Sequence, residues 1–172
     1  MSSWLLPSRE DAGRFGEALG RRLVPGSTVA LIGDLGAGKT TLTQAIARGL
    51  GLNSYVSSPT FGLIHEYPGP IPMFHFDPYR LRSSIDLQDL GFYEFFERGG
   101  VVVVEWADRF KELLPLDRLT LRIEIVEETL SDDLEEDAAR IVKAEAAGAQ
   151  YVNLLADLEA DSAIRDLRSI RE

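Results

Sequence analysis

The nine residues GDLGAGKTT, positions 33 to 41, limit the possible folds more than any other part of the chain. They continue from TVALIG (28 to 33), a short apolar, β-branched run that reads as a buried strand. They lead into Leu42, Ala45, Ile46 and Leu50, which recur at helical steps until Gly51 supplies a stop. A strand, a glycine-rich loop and a helix, in that order, is the setting in which G-x-x-x-x-G-K-[ST] has physical meaning. Gly33, Gly38, Lys39 and Thr40 meet that pattern at every fixed position. Without side chains at Gly33, Gly36 and Gly38, the loop backbone can wrap a phosphate and point successive amides at it, at the positive end of the helix. Asp34, Leu35, Ala37 and Thr41 complete the loop. Lys39 is expected to reach β- and γ-phosphates and the Thr40 hydroxyl to bind Mg²⁺. A glycine-rich turn that happens to carry a lysine is the alternative, and both spacing and setting argue against it.

The rest of the chain supplies a sheet for this loop. Residues 8 to 23 carry a variant capping box, Ser8 with Asp11, and then Ala12, Phe15, Leu19 and Leu23 on one helical face. SSPTFGLIHEY and IPMFHFDPYRL are β-rich runs separated by PGP, which predicts a hairpin or two adjacent strands. Residues 83 to 98 predict a second helix with a broad apolar surface. The four valines of VVVVEW (101 to 106) suit a strand buried on both faces. LTLRIEIV (119 to 126) alternates strictly, and ARIVKAEA (139 to 146) is expected to pair with it; YVNLLADLEA predicts a short helix. The fold expected is α/β, a P-loop NTPase: a three-layer αβα sandwich with a mostly parallel central sheet and an antiparallel C-terminal edge. Residues 1–160 form one domain in this reading, and 161–172 a tail that is either a peripheral helix or disordered.

A phosphate loop needs an acid at the end of a neighbouring strand to hold Mg²⁺. Glu105, directly after the valines, is the best placed, since ligands of open α/β sheets bind at the carboxyl ends of the strands. The alternative for it is an ordinary solvated acid. Asp77, in FHFDPYR, also ends an apolar strand; it either orients water or a metal-bound water, or caps a turn. Thr60, in SSPTF, follows the loop helix, where NTPases keep a segment that senses the γ-phosphate. Trp106 either stacks near a nucleotide or fills the rim of the sheet. His65 and His75 have no partner ligand at metal spacing and are read as packed or surface residues.

Composition narrows the setting. There is no cysteine, so disulfides and thiolate metal sites are excluded and a reducing cytoplasm is the expected location. No signal peptide or membrane-spanning run is legible, so no membrane association is expected. The net charge of −10 is concentrated: residues 127–137, EETLSDDLEED, hold seven acids and no base, which leaves the remainder near −3. Acidity alone therefore does not exclude an RNA-related role.

Taken together, GDLGAGKTT, SSPTF, HFDPYRL, LGFYEFF, VVVVEWADR and the LP at 114 to 115 resemble the TsaE (YjeE) family of small P-loop ATPases, over roughly residues 5 to 126. The resemblance implies a part in bacterial biosynthesis of N6-threonylcarbamoyladenosine at position 37 of tRNA. It implies an ATPase that makes neither the adenylate nor the transfer, but acts on the TsaB–TsaD transferase complex, whose partners stimulate its hydrolysis and need it for repeated turnover. Contact with tRNA is then only indirect, and self-association is left open. Carried over by position, Lys39 and Thr40 are the phosphate and Mg²⁺ residues, Glu105 is the second Mg²⁺ residue, and Asp77 is the motif acid. Thr60 falls in the switch-like loop, Trp106 is the family's tryptophan beside the metal-binding acid, and Leu6 to Arg9 with residues near Thr129 are candidates to enclose adenine. Two other functions share the loop. A small-molecule kinase would bring an arginine-rich lid, for which only Arg80, Arg82 and Arg109 are near; a nucleotide-dependent binding module would hydrolyse only incidentally.

Overall fold

The computed structural model describes residues 2–52, 56–57, 63–126 and 138–167. Among the described residues seven strands form one sheet: β1 (Ser2–Leu6), β2 (Thr28–Ile32), β3 (Ile64–Tyr67), β4 (Met73–Phe76), β5 (Val101–Val104), β6 (Arg118–Ile125) and β7 (Arg140–Ala147). Their order is β1-β7-β6-β2-β5-β4-β3. The four inner strands β6, β2, β5 and β4 are mutually parallel, and antiparallel pairs close both edges. The fold is therefore α/β with a mixed sheet that is parallel at its centre, as the sequence predicts.

The valine run shows why such strands carry no polar alternation. Val101 and Val103 enter one core with α1 (Arg9–Gly20), α2 (Lys39–Gly49) and α4 (Ala149–Ala160). Val102 and Val104 enter a second core on the opposite face, with Phe74, Phe76, Leu87, Phe92 and Phe110. β6 and β7 pair antiparallel over eight residues, Arg118 opposite Ala147 through Ile125 opposite Arg140.

Two elements depart from expectation. The helix predicted over 83 to 98 is two pieces, α3 (Ser84–Asp89) and a 3₁₀ segment at Phe92–Glu97. Gly91 between them has φ 70°, a left-handed conformation that ends a helix and suits glycine. The break turns Phe92 and Phe95 edge-on to Phe76, at centroid distances of 4.8 and 5.1 Å. β1 was not legible in the sequence: it pairs with β7, Trp4 opposite Val142, and Trp4 is buried against Phe15. The described part of the tail, residues 161–167, includes a 3₁₀ turn at Arg165–Leu167. Ile164 and Leu167 are buried in the first core, and Asp161 and Asp166 pair with Arg22 and Arg14, each at 2.8 Å. Among the described residues, no helix is long and apolar enough to cross a membrane.

α1 begins at Ser8, whose hydroxyl accepts from the Asp11 amide at 3.2 Å, and it packs on α2 with almost no side-chain spacer. A Cβ on Gly16 would lie 2.4 Å from that of Ala45, and one on Gly20 would lie 2.3 Å from the Ile46 carbonyl oxygen. Gly20→Ala should therefore cost about 1–3 kcal/mol through overpacking, outweighing the helix propensity alanine gains. The urea midpoint measures this, and an unchanged or raised midpoint would contradict the close approach of the two helices.

Candidate nucleotide-binding site

The parallel pairing of β2 with β5 and of β5 with β4 brings three chain exits to one edge of the sheet. The glycine loop leaves β2, Glu105 follows β5 and Asp77 follows β4. A cavity of about 530 Å³ opens there, within the size range of small-molecule sites. It is lined by Leu35 to Thr41, Asp77, Glu105 and Trp106, and on the opposite wall by Leu6, Arg9, Arg140 and Val142.

The loop's shape follows from its glycines. Gly36 and Gly38 have φ of 80° and 104°, and Gly38 serves as the N-cap of α2 without any side-chain cap. The first amides of a helix have no intrahelical acceptor, and here the cavity lies over that end. Gly33 and Asp34 sit behind the loop, on a separate cleft. A Cβ on Gly33 would lie 2.7 Å from the Ile123 carbonyl oxygen of β6, so contact with the sheet requires a glycine at that position.

Lys39 is buried. Its Nζ donates to the carbonyls of Gly33 and Asp34 at 2.7 and 2.8 Å and lies 3.6 Å from the centroid of the Trp106 ring. Burial holds its ammonium below the ordinary lysine range, against the pull of the Glu105, Asp77, Asp34 and Asp108 carboxylates. Trp106 stacks on Tyr79 at 4.7 Å and has φ 56°, a left-handed backbone that costs a non-glycine residue about 1–3 kcal/mol. Of the two readings of Trp106, the structure places it beside the loop lysine.

Glu105 is 2% exposed and so is not a solvated strand-end acid. Its Oε1 accepts from the Thr40 hydroxyl at 2.9 Å and is 2.8 Å from His75 Nε2. Asp77 caps a 3₁₀ turn, its Oδ1 accepting from the Tyr79 amide at 3.2 Å, and it lines the cavity. Thr41 and Arg9 line the cavity, whereas Thr60 and Thr129 lie outside the described residues.

Two residues of this region were given no functional role from sequence. Arg140, at the start of β7, donates to the carbonyls of Ala37 and Gly36 at 3.4 and 3.5 Å and also to that of Ala138. His75 is the second. Each had a signal: both stand at buried positions of strands whose inward neighbours are apolar, Val142 and Ala144 in one case and Met73 in the other.

This loop, its lysine and hydroxyl, and the acid on the adjacent parallel strand define a protein of the P-loop NTPase fold. The sequence model of the family "Threonylcarbamoyl adenosine biosynthesis protein TsaE" matches residues 6–135, and the chain belongs to the TsaE family. Among curated relatives, a Bacillus subtilis protein named tRNA threonylcarbamoyladenosine biosynthesis protein TsaE is 48% identical over 100 residues, which cover 58% of this chain but only 62% of that relative. A Treponema pallidum protein of the same name is 40% identical over 119 residues, 69% of this chain and 88% of the relative. Among solved structures, Bacillus subtilis YdiB superposes with a TM-score of 0.74 at 33% identity, covering 92% of this chain and 93% of that one.

The buried lysine has a measurable signature. With its folded pKa below the ordinary 10.5, the folded state releases the proton first, so folding stability rises with pH between the lowered value and 10.5. Lys39→Met removes this contribution. In the nucleotide-free protein, wild type should gain stability relative to Lys39→Met as pH climbs through that window, with no divergence below it. Parallel pH profiles across the whole range would show that the amine is not desolvated.

Proposed function

We propose that this chain is an ATP-hydrolysing component of tRNA N6-threonylcarbamoyladenosine biosynthesis, binding and resetting the TsaB–TsaD transferase complex in the cytoplasm. Residues 1–160 would act as one ATPase domain. The observation that carries the reading is the hydrogen bond from Thr40 to Glu105, which joins the phosphate loop to the acid of the neighbouring strand. Family membership and the relatives' printed names supply the pathway.

The residues fit Mg²⁺. The Thr40 hydroxyl donates its hydrogen bond to Glu105, which leaves its oxygen lone pairs available to a cation. Two protein oxygens are a usual complement for Mg²⁺ when phosphates and water supply the other positions. Among the described residues no three His, Cys, Asp or Glu side chains converge as an all-protein site. Bound by Thr40, Glu105 and the triphosphate, Mg²⁺ would neutralise phosphate charge and polarise the γ-phosphoryl group.

The chain's own residues then divide the work. The amides of Gly36 to Thr41 take the β- and γ-phosphate oxygens, and Lys39 exchanges its two carbonyl acceptors for phosphate oxygen. That exchange is favoured because a buried ammonium gains more from an anion than from neutral carbonyls. Water attacks the γ-phosphorus in line, the bond to the β-phosphate oxygen breaks, and ADP and phosphate leave. Asp77, facing the same cavity, is the acid proposed to orient that water. Leu6 and Arg9 form the wall proposed to enclose adenine. Hydrolysis is slow alone in this reading and completed by the partner; an arginine supplied in trans is worth about 10³–10⁵ in rate. The kinase reading is the weaker one, because Arg109 is spent on the carbonyls of Tyr79 and Leu81 instead of forming a lid.

Phosphate release should be slow for the protein alone and rise by orders of magnitude with TsaB–TsaD. Lys39→Ala should abolish nucleotide binding or turnover. Glu105→Ala should depress Mg²⁺-dependent hydrolysis by about 10²-fold or more while sparing binding in the absence of metal. Unaltered partner-stimulated hydrolysis in both variants would remove the assignment, and phosphate appearing on a metabolite would favour a kinase.

A further inference from the structure

His75 occupies a position that the fold would give to an apolar residue. Along β4, Phe74 and Phe76 enter one core, whereas Met73 and His75 face the other side, toward α2. His75 is opposite Val103 in the parallel β4–β5 register and is wholly buried. No protein atom among the described residues pairs with its Nδ1, so the ring carries a desolvation penalty that leucine or methionine would not. Among the described residues its ring makes one hydrogen bond, the 2.8 Å approach of Nε2 to Glu105 Oε1. A carboxylate can only accept, so the proton sits on Nε2 and the ring donates to it.

That donor completes a particular arrangement. Glu105 Oε1 receives two hydrogen bonds from opposite sides of the site, one from Thr40 on α2 and one from His75 on β4. Neither donor uses Oε2. A glutamate has one more rotatable bond than an aspartate, and a strand-end glutamate held only by Thr40 could swing with the helix. The bond from β4 ties it instead to the sheet, which is the rigid part of the molecule. We propose that His75 is a positioning residue for the cation site: it fixes the rotamer of Glu105 so that the Thr40 oxygen and the carboxylate converge on one Mg²⁺. This rests on the proposed reading of Thr40 and Glu105 as metal residues and adds a part for a histidine that touches neither nucleotide nor metal. Hydrogen-bonded supports of this kind typically change metal affinity by about 10–100-fold when removed.

The test separates metal from nucleotide binding. Fluorescently labelled ADP is titrated into wild type and variants, first in EDTA and then across a Mg²⁺ series, with no turnover required. His75→Leu should bind ADP in EDTA within about twofold of wild type and need at least about 10-fold more Mg²⁺ for half-maximal enhancement. His75→Gln, whose Nε2 can stand where the imidazole nitrogen stood, should recover most of that loss. His75→Asn, too short to reach Glu105, should not. The Gln and Asn pair keeps the test decisive should the leucine variant fold poorly. An unchanged Mg²⁺ requirement in His75→Asn, or equal losses in EDTA and Mg²⁺, would overturn the positioning role and leave the nucleotide site standing. Wild type that binds no ADP under either condition would overturn the underlying reading and this proposal with it.

Discussion

The parallel pairing of β2 with β5 is the constraint on which the rest depends. Parallel strands end at the same edge, so the loop after Ile32 and the acid after Val104 must emerge side by side, Ala30 being paired with Val104. β4 adds Asp77 by the same rule, and the backbone bond from the Glu105 amide to the Phe76 carbonyl, 2.9 Å, carries the pairing one residue past the strands. Parallel connections need long crossovers, which explains why residues far apart in sequence meet here. The pairing is held by burial on both faces: each valine of β5 is no more than 1% exposed. A polar side chain on either face would have to displace packed aromatic or helical residues. The location of the chemistry is therefore a consequence of where apolar side chains must go.

Against this rigid background, the edge stores unfavourable features. Trp106 has a left-handed backbone, the Lys39 amine is desolvated, and the His75 Nδ1 has no partner among the described residues. Strain at such a backbone costs about 1–3 kcal/mol and an unsatisfied buried polar atom a similar amount. Their clustering within one site is informative, because packing alone would remove them. The lysine shows the principle most clearly. Two carbonyls and a ring face satisfy it only partly, and its displaced pKa records the shortfall.

Much of this architecture was legible before the structure, and the reasons differ by element. The loop could be read because the turn demands glycine at defined spacings, and Glu105 because four valines admit only a doubly buried strand. The β6–β7 pair announced itself by alternation. β1 did not, since SSWLL offers only Trp4 and Leu6 to the core and its partner lies more than a hundred residues away. The break at Gly91 was hidden because apolar spacing on both sides suits one continuous helix; only the position of Phe76 and Phe74 decides that the aromatics must turn. His75 and Arg140 were passed over for a common reason. A polar residue in an apolar strand is ambiguous until its partner is known, and both partners, Glu105 and the loop carbonyls, are supplied by tertiary contact.

The two walls of the cavity are built on different principles. The loop side is a product of the parallel centre, where local sequence and strand order suffice. The opposite wall comes from the antiparallel edge, with Leu6 of β1, Arg9 of α1, and Arg140 and Val142 of β7. β1 pairs with β7 and α1 packs on β1 through Phe15 against Trp4, while Arg14 of α1 and Arg22 just after it pair with Asp166 and Asp161. The Arg14–Asp166 pair is exposed and contributes little by itself, whereas Arg22–Asp161 is half-buried, and Ile164 and Leu167 add apolar burial in the shared core. Arg140 joins the two walls: it belongs to the edge, yet its guanidinium donates to carbonyls of the loop itself. A shift of β7 would therefore alter the loop directly, which makes the antiparallel edge part of the loop's support as well as a wall of the cavity.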